Sequence, residues 1–390
     1  MNEMSWPPQV PPGPPPMPVP PPMPVAFSGS RGEFFNLAKR GAALEFVTLG
    51  FYRFWLLTDI RRHLWSNTLI DGDAAEYTGR GKELLIGFLV ALAILVPVYL
   101  GYFLIGLEAE RYRAFASLPL IAFFYLFGQF AIYRARRYRL TRTVWRGVRF
   151  WMSGSGWIYA LQASLWGLLT AFTLGLALPW RTAALERYKM RHTFYGDLQG
   201  SFEGRGSEFF KRGWWLWLLV PFAYVLWPLA PFVYGAFKAI EWRWWLSGIR
   251  FGGVRVESSL PKSALIGLYW KVVGWTAVLA VVFSIVFSIY LALCGLLVAS
   301  MSGEPFAEFF KSQNIMKSIP LLAFAGVGYL MFALAFNVVI RVYLMRDLWV
   351  RVLGSVNIIG IEAAAEVSAR GEMVNALGEG FADGLDVGGF

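Results

Sequence analysis

Long apolar runs separated by short polar, glycine-centred segments set the pattern of the chain. Residues 84 to 107 and 114 to 133 are nearly free of charge. The first run is long enough, at about 1.5 Å per residue, to cross a hydrocarbon core of about 30 Å. The link between them, Glu108 to Arg113, is short and balanced in charge, so the pair predicts a helical hairpin that returns to its starting side. A second such hairpin is predicted from 272 to 299 and 318 to 340, joined by the near-neutral linker Ser300 to Lys317.

Three other apolar segments are open to either of two topologies. Residues 34 to 57 carry Lys39, Arg40, Glu45 and Arg53, and a charge near the bilayer centre costs at least about 2.5 kcal/mol. Residues 157 to 180 form one unbroken run, and 213 to 237 form another, broken by Pro221, Pro228 and Pro231. As single crossings the last two would put the basic segment between them outside, against the positive-inside rule. Kinked re-entrant pairs avoid that conflict but need protein or water to cover the opened backbone.

Between the runs lie five stretches around a central glycine: Asn67 to Thr78 (Gly72), Thr143 to Met152 (Gly147), Thr193 to Phe202 (Gly196), Gly248 to Glu257 (Gly252) and Val352 to Glu362 (Gly360). Apolar residues flank the glycine in each, which is how a β-hairpin reads. Five hairpins predict a small sheet on one face of the membrane part. The stretches also repeat. Residues 48 to 85 recur at 173 to 210 with a constant offset of 125, which places Trp55 on Trp180, Gly79-Arg80-Gly81 on Gly204-Arg205-Gly206, and Glu83 on Glu208. A partial copy follows the first at an offset of 75. The expected fold class is mainly α: a polytopic helical membrane protein with internal repeats and repeated short β-hairpins on the cytoplasmic side.

Composition agrees with that class. The 390 residues are 57% hydrophobic and 16% charged, against about 25% charged in an ordinary soluble domain. The net charge of +11 sits in short basic runs beside apolar segments, so it points to membrane orientation and not to nucleic acid. The strongest such run is Arg134, Arg136, Arg137, Arg139, Arg142, Arg146 and Arg149, with no acid among them, which predicts a cytoplasmic loop. A single cysteine, Cys294, allows no internal disulfide and no cysteine-based metal site.

The ends differ from the middle. Residues 7 to 24 hold 12 of the 21 prolines, and Pro-Pro-Pro-Met-Pro-Val occurs at 14 to 19 and again at 20 to 25. This predicts a polyproline II tail over 1 to 26, without the basic start and apolar core of a cleavable signal, and with an N-terminus on the cytoplasmic side. It reads as a spacer or, over residues 7 to 25, as a ligand for a partner's proline-binding domain. The membrane domain is expected over 27 to 361, and 362 to 390 as an acidic, small-residue tail.

Candidate chemistry is sparse. Gly79-Arg80-Gly81-Lys82-Glu83 has neither the spacing nor the hydroxyl of a phosphate-binding loop. The simpler reading is that its glycines let the chain turn from hairpin into helix, with the glutamate in the first helical turn, where the dipole favours it. Arg80 and Arg205 are the candidates for contact with lipid phosphates. Gln129, Gln162 and Asn337 are polar residues inside apolar runs; they either line a path or hydrogen-bond between helices. His63 and His192 do not occupy equivalent repeat positions, and no pattern for catalysis, a cofactor or a metal is expected. The tryptophans gather at segment ends, as an interfacial belt does.

Four motifs together carry a family resemblance: Phe27 to Phe35, the Thr-Leu-Gly-Phe-Tyr-x-Phe-Trp run at 48 to 55, Asn67-Thr68, and Gly378-Glu379-Gly380-Phe381-Ala382-Asp383-Gly384-Leu385-Asp386. The chain resembles the YjgN-like bacterial inner-membrane proteins, a domain of unknown function. The resemblance implies a multi-pass protein of the cytoplasmic membrane and brings no catalytic residue. Three function classes stand as expectations. The first is a transporter or channel-like protein for a small molecule or lipid, on the repeats and proline-broken apolar segments. The second is a membrane scaffold recruiting a partner through the proline-rich tail. The third is a membrane enzyme acting on lipid, ranked last because the sequence offers no acid/base pair or metal cluster. No enzymatic role is expected.

Overall fold

A computed structural model describes residues 22–108, 113–303 and 315–370. After β1 (Met23–Pro24), one plan of strand, helix, helix, strand recurs five times. The first unit is β2 (Ala26–Phe27), α1 (Arg31–Val47), α2 (Arg53–Ser66) and β3 (Thr68–Ile70). The second is β4 (Asp73–Tyr77), α3 (Gly81–Glu108), α4 (Arg113–Thr141) and β5 (Thr143–Trp145). The third is β6 (Val148–Met152), α5 (Gly156–Phe172), α6 (Leu178–Arg191) and β7 (Thr193–Tyr195). The fourth is β8 (Leu198–Phe202), α7 (Gly206–Val225), α8 (Ala230–Gly248) and β9 (Ile249–Phe251). In the fifth, β10 (Val254–Ser258) leads into α9 (Ile266–Ser302) and α10 (Ile315–Ile340), then through a π-helical turn (Arg341–Asp347) into α11 (Leu348–Leu353) and β11 (Val356–Ile359).

All strands join one antiparallel sheet in the order β1-β11-β10-β9-β8-β7-β6-β5-β4-β3-β2. Its two outer strands are neighbours in sequence. Met23 and Pro24 pair with Ile358 and Asn357, while Ala26 and Phe27 pair with Leu69 and Thr68. Only Val25 lies between the two pairings; it is buried, and its N–H donates to the Val356 carbonyl at 3.1 Å. One five-residue stretch therefore joins both edges and closes the sheet into a barrel, which removes the exposed edges an open sheet would carry. The barrel thus includes residues before 27, within the second Pro-Pro-Pro-Met-Pro-Val copy. A proline fits there because this strand sits at the seam, where fewer ladder bonds are required of it.

Tight turns make the hairpins. Asp71 and Gly72 have φ of 52° and 80°, and Arg146 and Gly147 have φ of 47° and 75°. Positive φ at both central residues is the primed-turn geometry that matches strand twist. Four of the five glycine-centred stretches are hairpins. The fifth differs: after Gly360 the chain does not return as a strand but enters a short 3-10 turn, Ile361–Ala364, because β11 finds its second partner in β1.

Because the two strands of every unit lie side by side, every helix pair leaves the sheet and comes back to it on the same side. This decides the three open segments. Residues 157 to 180 do not form one crossing: the run turns at Leu174 and Gly175, with φ of 49° and 89°, and the same turn occurs 125 residues earlier at Leu49 and Gly50. Apolarity hid both turns, since Leu49 and Leu174 are 78% and 91% exposed at the tips. Residues 213 to 237 likewise turn back between α7 and α8. Among the described residues four helical stretches are long and apolar enough to span a membrane, at 81–104, 118–141, 266–301 and 325–353, in the two expected hairpins. The helices pack in a ring, α1 against α10 closing it.

Candidate functional site: an axial chamber

The second helix of each unit runs down to its closing strand. Counted back from the first residue of that strand, the positions seven, four and three residues earlier lie on one helical face. In α4 these are Arg136, Arg139 and Leu140; in α6, Glu186, Lys189 and Met190; in α8, Trp242, Trp245 and Leu246; in α11, Trp349, Val352 and Leu353. These faces meet on the ring axis, joined by Trp65 from α2, and enclose two adjoining cavities of ≈ 240 and ≈ 290 Å³ that share Arg136, Arg139, Trp242 and Trp245.

Glu186 is the electrostatic centre of the first cavity. Its carboxylate accepts from Arg136 Nη1 at 3.2 Å and from Trp245 Nε1 at 3.0 Å, and the Lys189 ammonium pairs with its other oxygen. Burial alone would raise the Glu186 pKa, but Lys189 and Arg136 outweigh it and hold the group at about 2. Burial pushes Lys189 down, Glu186 recovers part of that, and Arg136 and Arg139 push it further down. The Glu186 shift reports the cations around it, whereas the Lys189 shift reports burial first and the neighbouring arginines second. The lining of this cavity holds a surplus of positive charge: Arg136, Arg139, Lys189 and Lys238 stand against Glu186 and Glu241. Lys238 donates to Glu241 at 2.7 Å. Tryptophans make the other wall. Trp65 and Trp349 stack with centroids 5.1 Å apart, and their Nε1 groups donate to Thr143 Oγ1 and Thr68 Oγ1, each at 3.1 Å.

Below the chamber the barrel is closed. The third residue of each closing strand, Ile70, Trp145, Tyr195, Phe251 and Ile358, belongs to one apolar layer together with Met23 and Phe150. Tyr195 fixes the layer by donating its hydroxyl to the Trp145 carbonyl at 3.0 Å. Ile361 packs into it from the far side, and Ser368 then bonds Asp197 through its N–H at 3.1 Å and its hydroxyl at 3.0 Å. The start of the acidic tail is thus a strap across the barrel mouth; residues 371–390 lie outside the described residues.

The residues singled out in the sequence lie elsewhere. Arg80 and Arg205 are exposed and immediately precede α3 and α7, at equivalent points where the chain leaves the barrel. Gln129 is half-buried on α4 and Gln162 exposed on α5, whereas Asn337 lines a separate cavity of ≈ 180 Å³ beside the ion pair of Glu45 and Arg341 (2.8 Å). The three do not form one path. Among the described residues no group of three or more His, Cys, Asp or Glu side chains gathers.

The repeated glycines work by close approach. Neither Gly81 nor Gly206 has positive φ. A Cβ on Gly81 would fall 2.8 Å from the Trp55 Cα, and one on Gly206 would fall 2.8 Å from the Trp180 Cα, where consecutive units cross. Glu83 does begin a helix, but it also pairs with Arg142 at 2.8 Å and accepts from the Tyr138 hydroxyl at 2.8 Å. Gly81→Ala and Gly206→Ala should each cost roughly 1–3 kcal/mol by forcing the backbones apart. Gly101→Ala, inside α3 where an added Cβ meets nothing within 4 Å, should not lower the melting temperature.

The sequence profile of a family described as bacterial protein of unknown function (DUF898) matches residues 22–242, more than half of the chain. The chain belongs to this family. It is the YjgN-like family that the motifs at 27 to 68 resemble, and the match begins at the barrel's closing strand and ends in α8. The proline-rich residues before 22 and the 378–386 motif lie outside it. No curated protein and no solved structure matches this YjgN-like chain.

Proposed function

We propose that this YjgN-like protein resides in the bacterial cytoplasmic membrane with its barrel in the cytoplasm, and moves a phosphate- or carboxylate-bearing molecule between the bilayer and the axial chamber. The carrying observation is the chamber lining, four cations against two acids with tryptophan walls, at the level where the helices reach the barrel. Arginine recognises phosphate and carboxylate by paired hydrogen bonds, and tryptophan suits the boundary between apolar and wet surroundings. The run from Arg134 to Arg149, on the lower part of α4 and on β5 and β6, supports the cytoplasmic orientation. The closed apolar layer favours a carrier over a permanently open pore. The reading involves no enzymatic step.

The test is reconstitution of the full chain in liposomes with two arms, one following a fluorescent phospholipid between leaflets and one following a soluble phosphate or carboxylate. One arm is expected to exceed protein-free liposomes, and Lys238→Gln should slow that arm roughly tenfold through loss of a charge-assisted contact. Flux at the protein-free level in both arms would sink the proposal.

A second reading is supported by the continuity of the proline-rich tail with the barrel seam. The expected range of 7 to 25 is shortened, because Met23 and Pro24 pair with β11 and Val25 is buried. A partner's proline-binding domain held ahead of residue 22 would be tethered next to the strand that closes the ring, as a scaffold requires. Removing residues 1–21 while flux persists but the cellular phenotype is lost would favour this reading over transport.

A further inference from the structure

A groove of ≈ 700 Å³, the largest cavity among those described, runs between α1, α9 and α10, away from the axial chamber. Trp275 and Leu279 wall one side, and Val338 and Val339 the other. Two of its walls thus come from helices long and apolar enough to span the membrane. Its third wall is one face of α1, where Arg31, Phe35 and Lys39 recur at every fourth residue. Gly32 leaves room there, since a Cβ at that position would meet nothing within 4 Å.

The charged side chains lining the groove are the cations Arg31 and Lys39, with Asp347 behind the lining offsetting part of the Arg31 charge. Arg31 is held at its back by Asp347, 3.1 Å away, with its guanidinium carbon 4.9 Å from the centroid of the Tyr343 ring. Lys39 is exposed and leans toward the helix start, its ammonium 5.9 Å from the Phe35 ring centroid. Both cations line the same apolar slot, about two helical turns apart on α1. Asp347 is already engaged by Arg31, and Lys39 is exposed, so the ammonium of a zwitterionic headgroup would meet a cation there, whereas an anionic headgroup brings only the phosphate that Lys39 and Arg31 would bind.

We propose that this groove is a resident site for an anionic diacyl phospholipid, its phosphate between Arg31 and Lys39 and one acyl chain along Trp275, Leu279 and Val339. The site is independent of transport through the axial chamber. Its volume falls within the range of about 300–1,000 Å³ in which ordered ligands are held.

The experiment uses the full chain in vesicles of equal parts phosphatidylglycerol and phosphatidylcholine, followed by native mass spectrometry of the lipid that stays bound. Phosphatidylglycerol should be retained roughly tenfold over phosphatidylcholine. Lys39→Glu should abolish that preference while Lys39→Arg keeps it, and Gly32→Leu should remove bound lipid of either kind by filling the slot. Retained lipid in the bulk ratio for the unaltered protein overturns the proposal. So does an undiminished preference in Lys39→Glu, whose folding is checked by its melting curve. If Gly32→Leu does not fold, the two Lys39 variants decide the matter alone.

Discussion

Glu186→Leu is expected to destabilise the protein by about 3–5 kcal/mol, the range for removing one partner of a buried ion pair. Among the described residues, the carboxylate is the acid that pairs with Lys189 and Arg136, whose side chains are 13% and 20% exposed. Without it both cations stay buried beside Arg139 with nothing to offset them. The double change Glu186→Leu with Lys189→Leu should therefore recover part of the loss, since only Arg136 then remains unbalanced. Chemical denaturation of the detergent-solubilised protein measures both. A single-variant loss below about 1 kcal/mol would show that the chamber does not confine these charges.

The same group sets a pH dependence. Its pKa is depressed from 4.5 to about 2 in the folded protein, so its contribution is complete above about 4.5 and is lost as the pH falls toward 2. Glu186→Gln should flatten the stability profile in that window and leave its shape above pH 5 unchanged. A functional consequence follows from the surplus charge. An added anion such as phosphate should restore part of the stability of Glu186→Gln by occupying the place of the lost carboxylate, by ligand linkage. Absence of any anion effect on that variant would count against an anion-binding chamber.

What the sequence makes legible depends on how local the cause is. The two long hairpins were visible because an apolar run of that length has few other uses, and α3, α4, α9 and α10 occupy them. The turns at Leu49 and Leu174 were not, because a membrane-facing tip can be as apolar as the helices it joins. The glycine spacing predicts a turn from hairpin into helix at Gly81 and Gly206; the structural cause is a contact with Trp55 and Trp180 about twenty-six residues away, which glycine spacing alone does not reveal. The chamber is legible in the same repeat: aligned on Thr68, Thr143, Thr193, Ile249 and Val356, the five units place Arg61, Arg136, Glu186, Trp242 and Trp349 at one position. The glycines that mark the repeat lie outside the chamber lining.

Closure of the barrel was the least legible feature, and it carries the other large prediction. Removing residues 1–21 should leave the melting temperature unchanged, whereas removing residues 1–27 should cost on the order of 5 kcal/mol. The estimate combines burial of Val25, about 1.5–3 kcal/mol for a full side chain, with several backbone hydrogen bonds at about 1 kcal/mol each. Those bonds include Val25 N–H to Val356 at 3.1 Å; the junction bond from Ser28 N–H to Asn67, at 2.9 Å, would lose its support. The consequence reaches beyond the strand itself. With Met23–Phe27 gone, β3 and β11 become open edges on either side of the seam, and Ile358 and Ile70 lose the neighbour that completes their apolar layer. The larger truncation should therefore also associate through its edges, seen as a concentration-dependent shift in size-exclusion elution. Val25→Asp in the full chain separates the two effects, since it keeps the strand's backbone but places a charge in its buried position. It should lower stability by a comparable amount without the shift in elution. Equal melting temperatures for the two truncations would mean that the sheet holds together without its closing strand.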